Sequence, residues 1–340
     1  MSQSAPRLAG LRSRLPRQVR APLRNAVDFR EGLWPLDRAY RTLQRRAPAR
    51  PEGFHDKVLF RMAWDRRPLL TTLVDKAASR DYVAARVGHQ YLPAQLGLWD
   101  DAAAVPFDEL PTDAAIKATH GSGGVIVRWS GAPRGTRLPG PAEGPLWSRH
   151  QVHPDDFDAD RARALLRLWL GQSYEHGPHR LPEWAYRDVP HRVMAEEVLG
   201  RDGLVARDLK IDVFDGVASH TCVVEGRFVD RRAAMMTRDW TMRDTPYPDV
   251  PLPDRPPERP GLMDEAYAVA EELGRGLDYV RVDIYDLGDR IVVGELTVYP
   301  AGGAKRFEPP SFELEQGRRW TLAPEVVEAA AVAAHAGGEG

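Results

Sequence analysis

The chain of 340 residues contains a single cysteine, Cys222. One cysteine excludes an internal disulfide framework and a cysteine-based zinc cluster. Because it lies in an apolar stretch, residues 218–224, a buried inert thiol is favoured over a nucleophile. The sequence also lacks an apolar run long enough to cross a bilayer and lacks a signal-peptide pattern. We therefore expect a cytoplasmic protein without stable membrane insertion.

The chain also lacks a large net charge, since 47 basic and 49 acidic side chains leave a formal net charge of −2. This balance gives no argument for nucleic acid as a partner. The exception is residues 1–50, which hold twelve arginines and only three acids, Asp28, Glu31 and Asp37. A mobile arm or a basic helix laid over the body is favoured there over a targeting peptide or a segment that contacts anionic surfaces.

The order of expected elements is mixed. A helical pattern covers residues 54–88, with Thr71 and Thr72 as start candidates and Gly88 as the stop, and residues 90–98 form a strand or an extended link. Further helices are expected at 161–174, 262–277 and 324–334, loops at 131–160 and 301–313, and a hairpin turn at Asp215-Gly216. Seven prolines in residues 245–260 indicate a stiff surface loop. Helices combined with antiparallel hairpins predict an α+β fold.

A second hairpin is predicted from strands 279–285 and 290–299, joined by a Leu-Gly-Asp turn at 287–289. If Gly288 takes the strained dihedral, Asp286 pairs with Arg290. One side of the hairpin then carries residues 281, 283, 293, 295 and 297. In that register Asp283 and Glu295 are diagonal neighbours, with Cβ atoms roughly 7–8 Å apart.

These side chains suit two different roles. Two carboxylates, Asp283 and Glu295, with Arg281 beside one and Thr297 beside the other, could bracket divalent cations that carry a polyphosphate. The alternative is a solvated strand face with cross-strand Arg–Asp pairs. Spacing alone leaves both open.

A glycine-rich loop, His120-Gly-Ser-Gly-Gly124, is predicted between strands 114–119 and 125–129, and Lys117 lies just before it. Glycine lets backbone amides approach phosphate oxygens, and serine adds a hydroxyl donor. The loop is neither a P-loop nor a dinucleotide fingerprint, because a strand and not a helix follows it. It is either a flap that closes over phosphates or a plain hairpin loop with a surface lysine.

Charged residues also interrupt two apolar strands. Glu196 and Glu197 end a strand at 192–199, where the backbone could meet a nucleotide base; exposure at a sheet edge is the alternative. Lys210 shares a strand face with Asp212, so a salt-bridged lysine is the simpler interpretation there.

The order of these features resembles the ATP-grasp superfamily, and more narrowly its TupA-like (teichuronopeptide biosynthesis) branch, over roughly residues 54–310. The resemblance rests on Asp75-Lys76-Ala-Ala-Ser-Arg80-Asp-Tyr82-Val83, Lys117-Ala-Thr-His120-Gly-Ser-Gly123, Asp208-Leu-Lys210-Ile-Asp-Val-Phe-Asp-Gly216, Tyr279-Val-Arg281-Val-Asp283-Ile-Tyr285 and Gly294-Glu295-Leu-Thr297. Their joint order and spacing are specific, although no single motif is.

The resemblance implies an ATP-grasp fold with a nucleotide site between two α+β subdomains. The expected segments are an Arg-rich leader at 1–50, a helical or mixed subdomain at 51–110, a small subdomain with flap and adenine hinge at 111–200, a large subdomain with the metal site at 201–313, and a C-terminal helix and tail at 314–340.

The resemblance also implies the cofactors ATP and Mg²⁺ and a role for each candidate residue. The phosphate contacts would be Lys117, Lys210 and the loop residues Gly121, Ser122, Gly123 and Gly124. The adenine hinge would be Glu196, Glu197, Val198 and Leu199, with Asp202 or Asp208 on the ribose. The metal residues would be Asp283 and Glu295 with Thr297 beside them, and the catalytic residues Arg281, Lys210 and His120, the last as a general base or phosphate donor. Lys76 and Arg80 would lie outside the ATP site proper and meet an anionic substrate or pair with acids on the body.

One position departs from the wider superfamily, which often has asparagine where this chain has Thr297. The TupA-like branch has threonine there, so Thr297 marks the branch and puts a third protein ligand in doubt.

The implied function is a carboxylate–amine ligase that works through an acyl phosphate. Its partners would be a small-molecule carboxylate and an amine, amino-acid or peptide-like, and an oligomer is possible. The branch points to biosynthesis of cell-wall polymers or peptide-like natural products. The alternatives are an ATP-grasp kinase, a non-catalytic ATP-binding or scaffold protein, and a polyanion-binding protein that uses the Arg-rich leader.

Overall fold

The computed structural model describes residues 36–143, 147–176, 181–201, 204–226, 230–247 and 250–336. The predictions for the Arg-rich leader before residue 36 and for Asp202 lie outside these ranges. The helices are α1 (Leu36–Arg46), α2 (Phe54–Trp64), α3 (Pro68–Val74), α4 (Ala78–Val87), α5 (Ala159–Leu170), α6 (Met263–Gly274), α7 (Pro310–Arg319) and α8 (Pro324–Ala336). The strands are β1 (Gln95–Trp99), β2 (Ala114–Ala118), β3 (Val125–Arg128), β4 (Arg149–Val152), β5 (Val193–Glu196), β6 (Gly200–Arg201), β7 (Leu204–Val205), β8 (Arg207–Phe214), β9 (Val217–Glu225), β10 (Arg232–Thr237), β11 (Met242–Arg243), β12 (Tyr279–Asp286) and β13 (Ile291–Thr297).

A five-stranded sheet with the order β1-β5-β2-β3-β4 forms the smaller half of the molecule. Its strands pair antiparallel except β3 and β4, which are parallel. Helix α5 begins at Asp158, whose carboxylate accepts hydrogen bonds from the amides of Asp160 and Arg161. The buried side of α5, which includes Leu166 and Trp169, shares one core with the apolar face of this sheet.

The larger half is a six-stranded antiparallel sheet with the order β11-β10-β9-β8-β12-β13. Strands β8 and β9 are joined at Asp215-Gly216, and both residues have positive φ, as a tight hairpin turn requires. One face of the sheet is apolar and packs on α6 in the main core. The opposite face carries Asp208, Lys210 and Asp212 of β8, because alternate residues of a strand point to the same side. This combination of helices and antiparallel sheets confirms the predicted α+β fold.

The helical pattern at 54–88 is three helices instead of one. Pro68 begins α3, and proline both lacks an amide donor and keeps the preceding residue out of the helical region. The predicted start at Thr71 and Thr72 is therefore wrong, since both lie inside α3. Gly88 ends α4 with a φ of +104°, as predicted.

The three helices pack in the core of the large sheet, and Arg61 of α2 ties them to it. Its buried guanidinium donates to Asp278 at 2.6 Å and to the carbonyl of Tyr279 at 2.9 Å. Arg67 and the indole of Trp320 also donate to Asp278. Although burial acts in the opposite direction, the two arginines lower the pKa of Asp278 to about 2. The start of β12 is thereby anchored to the N-terminal helices.

Three strands and the start of one helix were not predicted from the sequence. Strand β4 lies in the segment expected to be loop-rich, and β10 and β11 had no assignment. Helix α7 begins inside the loop expected at 301–313. Strand β4 pairs on one side only and has four residues, which is too short to show a period. No helix in the described part of the chain is long and apolar enough to cross a membrane.

Two stacked histidines lie beneath the glycine-rich loop. The rings of His120 and His191 have centroids 3.8 Å apart, and Nε2 of His120 contacts the carbonyl of Trp169 at 3.0 Å. His120 has no solvent exposure. Burial and the neighbouring His191 lower the pKa of His120 to about 4, so the ring is neutral at pH 7. A buried neutral ring that donates to a main-chain carbonyl supports the loop, and these surroundings do not favour the proton transfer predicted for it.

We expect Gly317→Ala to destabilise the protein. A Cβ at Gly317 of α7 would overlap the carbonyl oxygen of Glu52 and lie 2.8 Å from the backbone of Gly53, and backbone atoms cannot move aside cheaply. The cost should be roughly 1–3 kcal/mol, as for other overpacked sites. Thermal unfolding measures it, and Gly261→Ala, which has open space around its Cβ, should leave the melting temperature unchanged. Equal melting temperatures for the two variants would contradict this packing.

We expect His120→Gln to flatten the pH dependence of stability in mild acid. The folded-state pKa of about 4 lies below the usual histidine value of 6.5, so the unfolded state binds the extra proton and stability falls as pH drops from 6.5 towards 4. Glutamine keeps a donor for the Trp169 carbonyl but does not titrate. Denaturant unfolding at several pH values should show a slope smaller by up to roughly 1.4 kcal/mol per pH unit. Exposed His89→Gln is the control; an unchanged slope in His120→Gln would refute the assignment.

Candidate functional site

A β-bulge in the predicted hairpin sets the geometry of the site. The register runs Asp286 opposite Ile291 and Ile284 opposite Val293, then shifts so that Asp283 lies opposite Glu295. The predicted pairing of Asp286 with Arg290 is wrong by one residue, and the two carboxylates are direct cross-strand neighbours instead of diagonal ones. Val293 consequently packs in the main core and only borders the cleft.

Gly294 is the extra residue of the bulge. A Cβ there would overlap the ring of Tyr285 and lie 2.9 Å from its Cδ2 atom, so a larger residue would displace the ring. An extra residue in a strand reverses the sheet face to which every later residue of that strand points. The bulge therefore turns Glu295 and Thr297 to the side of Asp283. The turn itself has Gly288 at a φ of +87°, as predicted.

Three charged side chains form a buried cluster on the polar face of the large sheet. Arg281 donates twice to Asp283, at 2.6 and 2.9 Å, and once to the hydroxyl of Thr297 at 3.0 Å. Lys210, opposite Asp283 on β8, contacts the same carboxylate at 2.5 Å and Asp208 at 2.8 Å. Lys210 is thus salt-bridged, and its partners include the residue predicted to bind metal.

The cluster holds all of its members in their charged forms. Burial alone would raise the pKa of Asp283, but Arg281 and Lys210 lower it to about 2. Burial likewise opposes the charge of Lys210, yet Asp208 and Asp283 raise its pKa above the usual value. Asp283 is therefore an anion at any physiological pH.

The oxygen donors at the bulge suit a magnesium ion that also binds phosphates. Glu295 faces Asp283 and forms no ion pair or hydrogen bond with any residue that the structure describes. No group of three or more metal-binding side chains exists among those residues. Mg²⁺ commonly uses only one or two carboxylates and takes its other ligands from water and substrate phosphates, so two opposed carboxylates fit it.

The predicted glycine-rich loop connects the antiparallel strands β2 and β3. A Cβ at Gly121 would meet the rings of Tyr174 and Trp147 at 2.7 and 2.8 Å, and one at Gly124 would meet the ring of Trp147 at 2.9 Å. The loop is also held from the N-terminal helices: Nζ of Lys76 donates to the carbonyl of Gly121, and the amide of Lys76 to that of Thr119 at 3.1 Å. Burial lowers the pKa of Lys76, while the charge of Glu295 acts to raise it.

Lys117 points from β2 into the same region and contacts Glu196 of β5. Arg80 of α4 binds the other oxygen of Glu196 at 2.6 Å. Glu196 is buried, and two cations offset the cost of burying its charge, so exposure at a sheet edge does not explain it. Lys76 and Arg80 both line the cleft that Lys117 enters, and Arg80 pairs with an acid of the body, which is one of the two predicted roles; their place relative to ATP stays a prediction.

The segment expected to bind adenine continues from β5. Glu197 donates its amide to the carbonyl of Ala94 at 3.0 Å, and its carboxylate binds Arg290. Leu199 accepts from the amide of Ala206 at 3.1 Å. Val198 lies between Glu197 and Leu199 in the chain. Asp208 lies on β8 together with Lys210. The hinge and ribose roles of these residues stay predictions.

Five of the predicted residues, Lys76, Arg80, Lys117, Glu196 and Glu295, line one cleft between the two sheets. The cleft is lined by Lys76, Ser79, Arg80, Val83, Leu92, Pro93, Lys117, Met194, Glu196, Val293, Gly294, Glu295 and Leu296. The flap-side lysine Lys117 and the metal-side Glu295 thus share one cavity, although 178 positions separate them in the sequence.

One buried acid had no sequence signal. Glu183 precedes a short turn of helix at 184–186, and burial together with the charge of Glu295 raises its pKa to about 8. It lies in a segment without helical or strand period, so spacing could not connect it with Glu295.

One family model and several solved structures are similar to this chain. Residues 56–131 and 166–320 match the family model described as TupA-like ATPgrasp. No curated protein sequence matches the chain. Among solved structures, the chain is similar to the ATP-grasp ligase PsnB complexed with a minimal precursor, with 14% identity, a TM-score of 0.35, and 68% of this chain and 54% of that chain covered.

Two other solved structures are similar at the same level. The D-alanine–D-alanine ligase from Bacillus anthracis complexed with ATP has 12% identity, a TM-score of 0.37, and 78% of this chain and 68% of that chain covered. The D-cycloserine synthetase DcsG has 18% identity, a TM-score of 0.33, and 79% and 72% covered. The chain spans only about half the length of PsnB. Because the family model matches well over half of its residues, the chain belongs to the TupA-like ATP-grasp family.

Proposed function

We propose that this protein is an ATP- and Mg²⁺-dependent carboxylate–amine ligase that forms an amide or peptide bond through an acyl phosphate. The observation that carries the proposal is the pair of opposed carboxylates, Asp283 and Glu295, with Arg281 bound to the first. Glu295 shares a cleft with Lys117 and with Lys76, whose amine donates to the glycine-rich loop at Gly121. Membership of the ATP-grasp family supports ATP as the phosphoryl donor.

The phosphate contacts are assigned to two lysines that form salt bridges with carboxylates in this structure. Lys117 is bound to Glu196, and Lys210 to Asp208 and Asp283, so each is already oriented when ATP enters. The amides of Gly121, Ser122, Gly123 and Gly124 would cover the phosphates, Glu196–Leu199 would hold adenine, and Asp208 would meet the ribose.

Asp283 and Glu295 would hold Mg²⁺. When bound, the ion offsets the negative charge of the phosphates. Thr297 is assigned a supporting part, since its hydroxyl accepts from Arg281 and so positions that guanidinium beside Asp283.

In the proposed reaction a carboxylate oxygen attacks the γ-phosphorus of ATP, which releases ADP and leaves an acyl phosphate. An amine then adds to the acyl carbon, and phosphate departs. Arg281 would stabilise the oxyanion that develops at that carbon. The glycine-rich loop would exclude water, which otherwise hydrolyses acyl phosphates.

The carboxylate substrate is assigned to the side of Lys76. Its Nζ contacts the carbonyl of Gly121, and the negative charge of Glu295 favours its protonated form. Arg80, in contrast, already forms an ion pair with Glu196. His120 has no step in the proposed reaction, because its ring is buried against His191. Biosynthesis of cell-wall polymers or peptide-like natural products in the cytoplasm is the setting we propose, by analogy with the family.

Isotope transfer tests the reaction class. The full chain is incubated with ATP, Mg²⁺ and a panel of ¹⁸O-labelled carboxylates and amines, and ADP and phosphate are analysed. We expect label in the phosphate, because the phosphate that leaves the acyl carbon carries one oxygen of the original carboxylate. ADP without label in phosphate would instead indicate a kinase that modifies a hydroxyl. No ATP turnover with any pair would contradict the ligase and favour a non-catalytic ATP-binding protein.

We expect Asp283→Asn and Glu295→Gln each to reduce turnover by roughly 10²-fold or more, because each removes a carboxylate charge where phosphate charge must be offset. Asp289→Asn, an exposed acid in the turn of the same hairpin, is the matched control and should keep wild-type activity. Circular dichroism and melting temperature report whether each variant is folded. Near-normal turnover in either folded site variant would refute the metal assignment.

A further inference from the structure

A second cavity lies at the edge of the large sheet that is farthest from the cleft. The cleft is lined by residues of β13 at one edge of this sheet, whereas the second cavity is lined by residues at β9, β10 and β11 near the other edge and by α6 and α7. Its volume of about 570 Å³ is within the range of small-molecule sites. We call it the arginine groove, because its lining includes Arg238, Arg243 and Arg319.

The charges of the side chains that line the arginine groove do not balance. Its three guanidinium groups share the cavity with only two carboxylates, Glu271 and Glu315. Glu315 serves two of the arginines, since Arg243 donates to it twice, at 3.0 and 2.8 Å, and Arg319 donates to it at 3.4 Å. Among the described residues that line the groove, one guanidinium charge therefore has no carboxylate of its own, and a bound anion would balance it.

The surroundings of Glu315 show which chemical group the groove is able to bind. Its carboxylate accepts from the two arginines and from the amide of Gln316 at 3.2 Å. The planar guanidinium fork matches two oxygens of a carboxylate or a phosphate group. The side chain of Arg319 is half exposed and its bond to Glu315 is the longest of the set, so it can turn to a ligand at little cost.

Arg238 is already oriented on the opposite wall of the groove. Its Nη1 atom donates to the carboxylate of Glu271 and to the carbonyl of Ala218 at 3.3 Å, and its guanidinium lies over the ring of Tyr267, 5.0 Å from the centroid. In the part of the chain that the structure describes, its Nε and Nη2 atoms have no hydrogen-bond partner. These contacts hold the guanidinium in place and leave N–H donors for an anion.

Uncharged groups complete the lining of the groove. The hydroxyl of Ser219 donates to Gln316 at 3.2 Å, and Val217 is 60% exposed and offers an apolar surface. Asp239 is a further acid nearby, but it binds the hydroxyl of Thr237 and does not line the cavity. The groove therefore combines guanidinium and hydroxyl groups with an apolar side, which suits an organic molecule that carries an anionic group.

We propose that the arginine groove binds the phosphate or carboxylate group of a small organic molecule through Arg238 and Arg319. The anionic group lies between the wall formed by α7 and the wall at the end of β10, and the uncharged remainder of the molecule packs towards Val217. This site is separate from the proposed ATP site, because the groove and the cleft have no lining residue in common. It therefore does not depend on the ligase function.

Calorimetric titration of the full chain with glucose 6-phosphate, gluconate and glucose tests the proposal. The first two carry a phosphate and a carboxylate on similar carbon skeletons, and glucose is the uncharged control. We expect one or both anions to bind saturably and glucose not to bind. Binding of one anion alone identifies the anionic group that the groove prefers. If neither anion binds, or if glucose binds as tightly as the anions, the proposal is overturned.

Two neighbouring arginines of α7 provide matched variants, because Arg319 lines the groove and the exposed Arg318 does not. Arg319→Gln should raise the Kd of the anion roughly tenfold or more, the usual effect of losing a charged hydrogen bond, and Arg238→Gln should do the same. Arg318→Gln removes the same charge and should leave the Kd unchanged. Melting temperatures exclude unfolding as the cause of a loss. Equal Kd values in Arg319→Gln and Arg318→Gln would contradict the assignment.

A variant of the cleft shows in which of the two cavities the anion binds. Lys117→Gln removes a cation that the proposed ATP site uses, and it should leave the Kd of glucose 6-phosphate or gluconate unchanged. Loss of binding in Lys117→Gln, with normal binding in Arg319→Gln, would place the anion in the cleft and refute the proposal. No ATP turnover enters these titrations, so a failure of the ligase function would not alter their outcome.

Discussion

The buried charge cluster on the large sheet is the constraint on which the site depends. Asp283 is inside the protein as an anion because Arg281 and Lys210 both bind it. Removing either cation would leave a buried charge poorly compensated, which costs far more than the pair itself contributes. The cluster therefore ties β8, β12 and β13 into one register and keeps the proposed metal carboxylate ionised.

The same principle organises the other side of the cleft. Lys117 and Arg80 share Glu196, and Lys76 is satisfied by a loop carbonyl. Each cation assigned to a substrate is therefore held by a group of the protein. Such ion pairs orient long flexible side chains in advance, which lowers the entropy lost when an anionic ligand replaces a carboxylate.

Residues close in the sequence were the ones whose structure could be predicted. The turn at Gly288, the hairpin at Asp215-Gly216, the loop after Lys117 and the stop at Gly88 all follow from local dihedral preferences and were found where expected. The split of the 54–88 pattern into three helices follows from Pro68 as well, although the apolar period concealed it. Short β4, β10 and β11 carry no usable period of their own.

The sequence by itself determined the α+β class, the hairpin strands and the family to which the chain belongs. Only the tertiary structure decided that Gly294 forms a bulge and thereby places Glu295 directly opposite Asp283. Only it brought Lys76 and Arg80 into the cleft. The reason is physical: turns and periods depend on neighbouring dihedrals, whereas these contacts depend on how side chains distant in the chain share buried volume and compensate each other's charge.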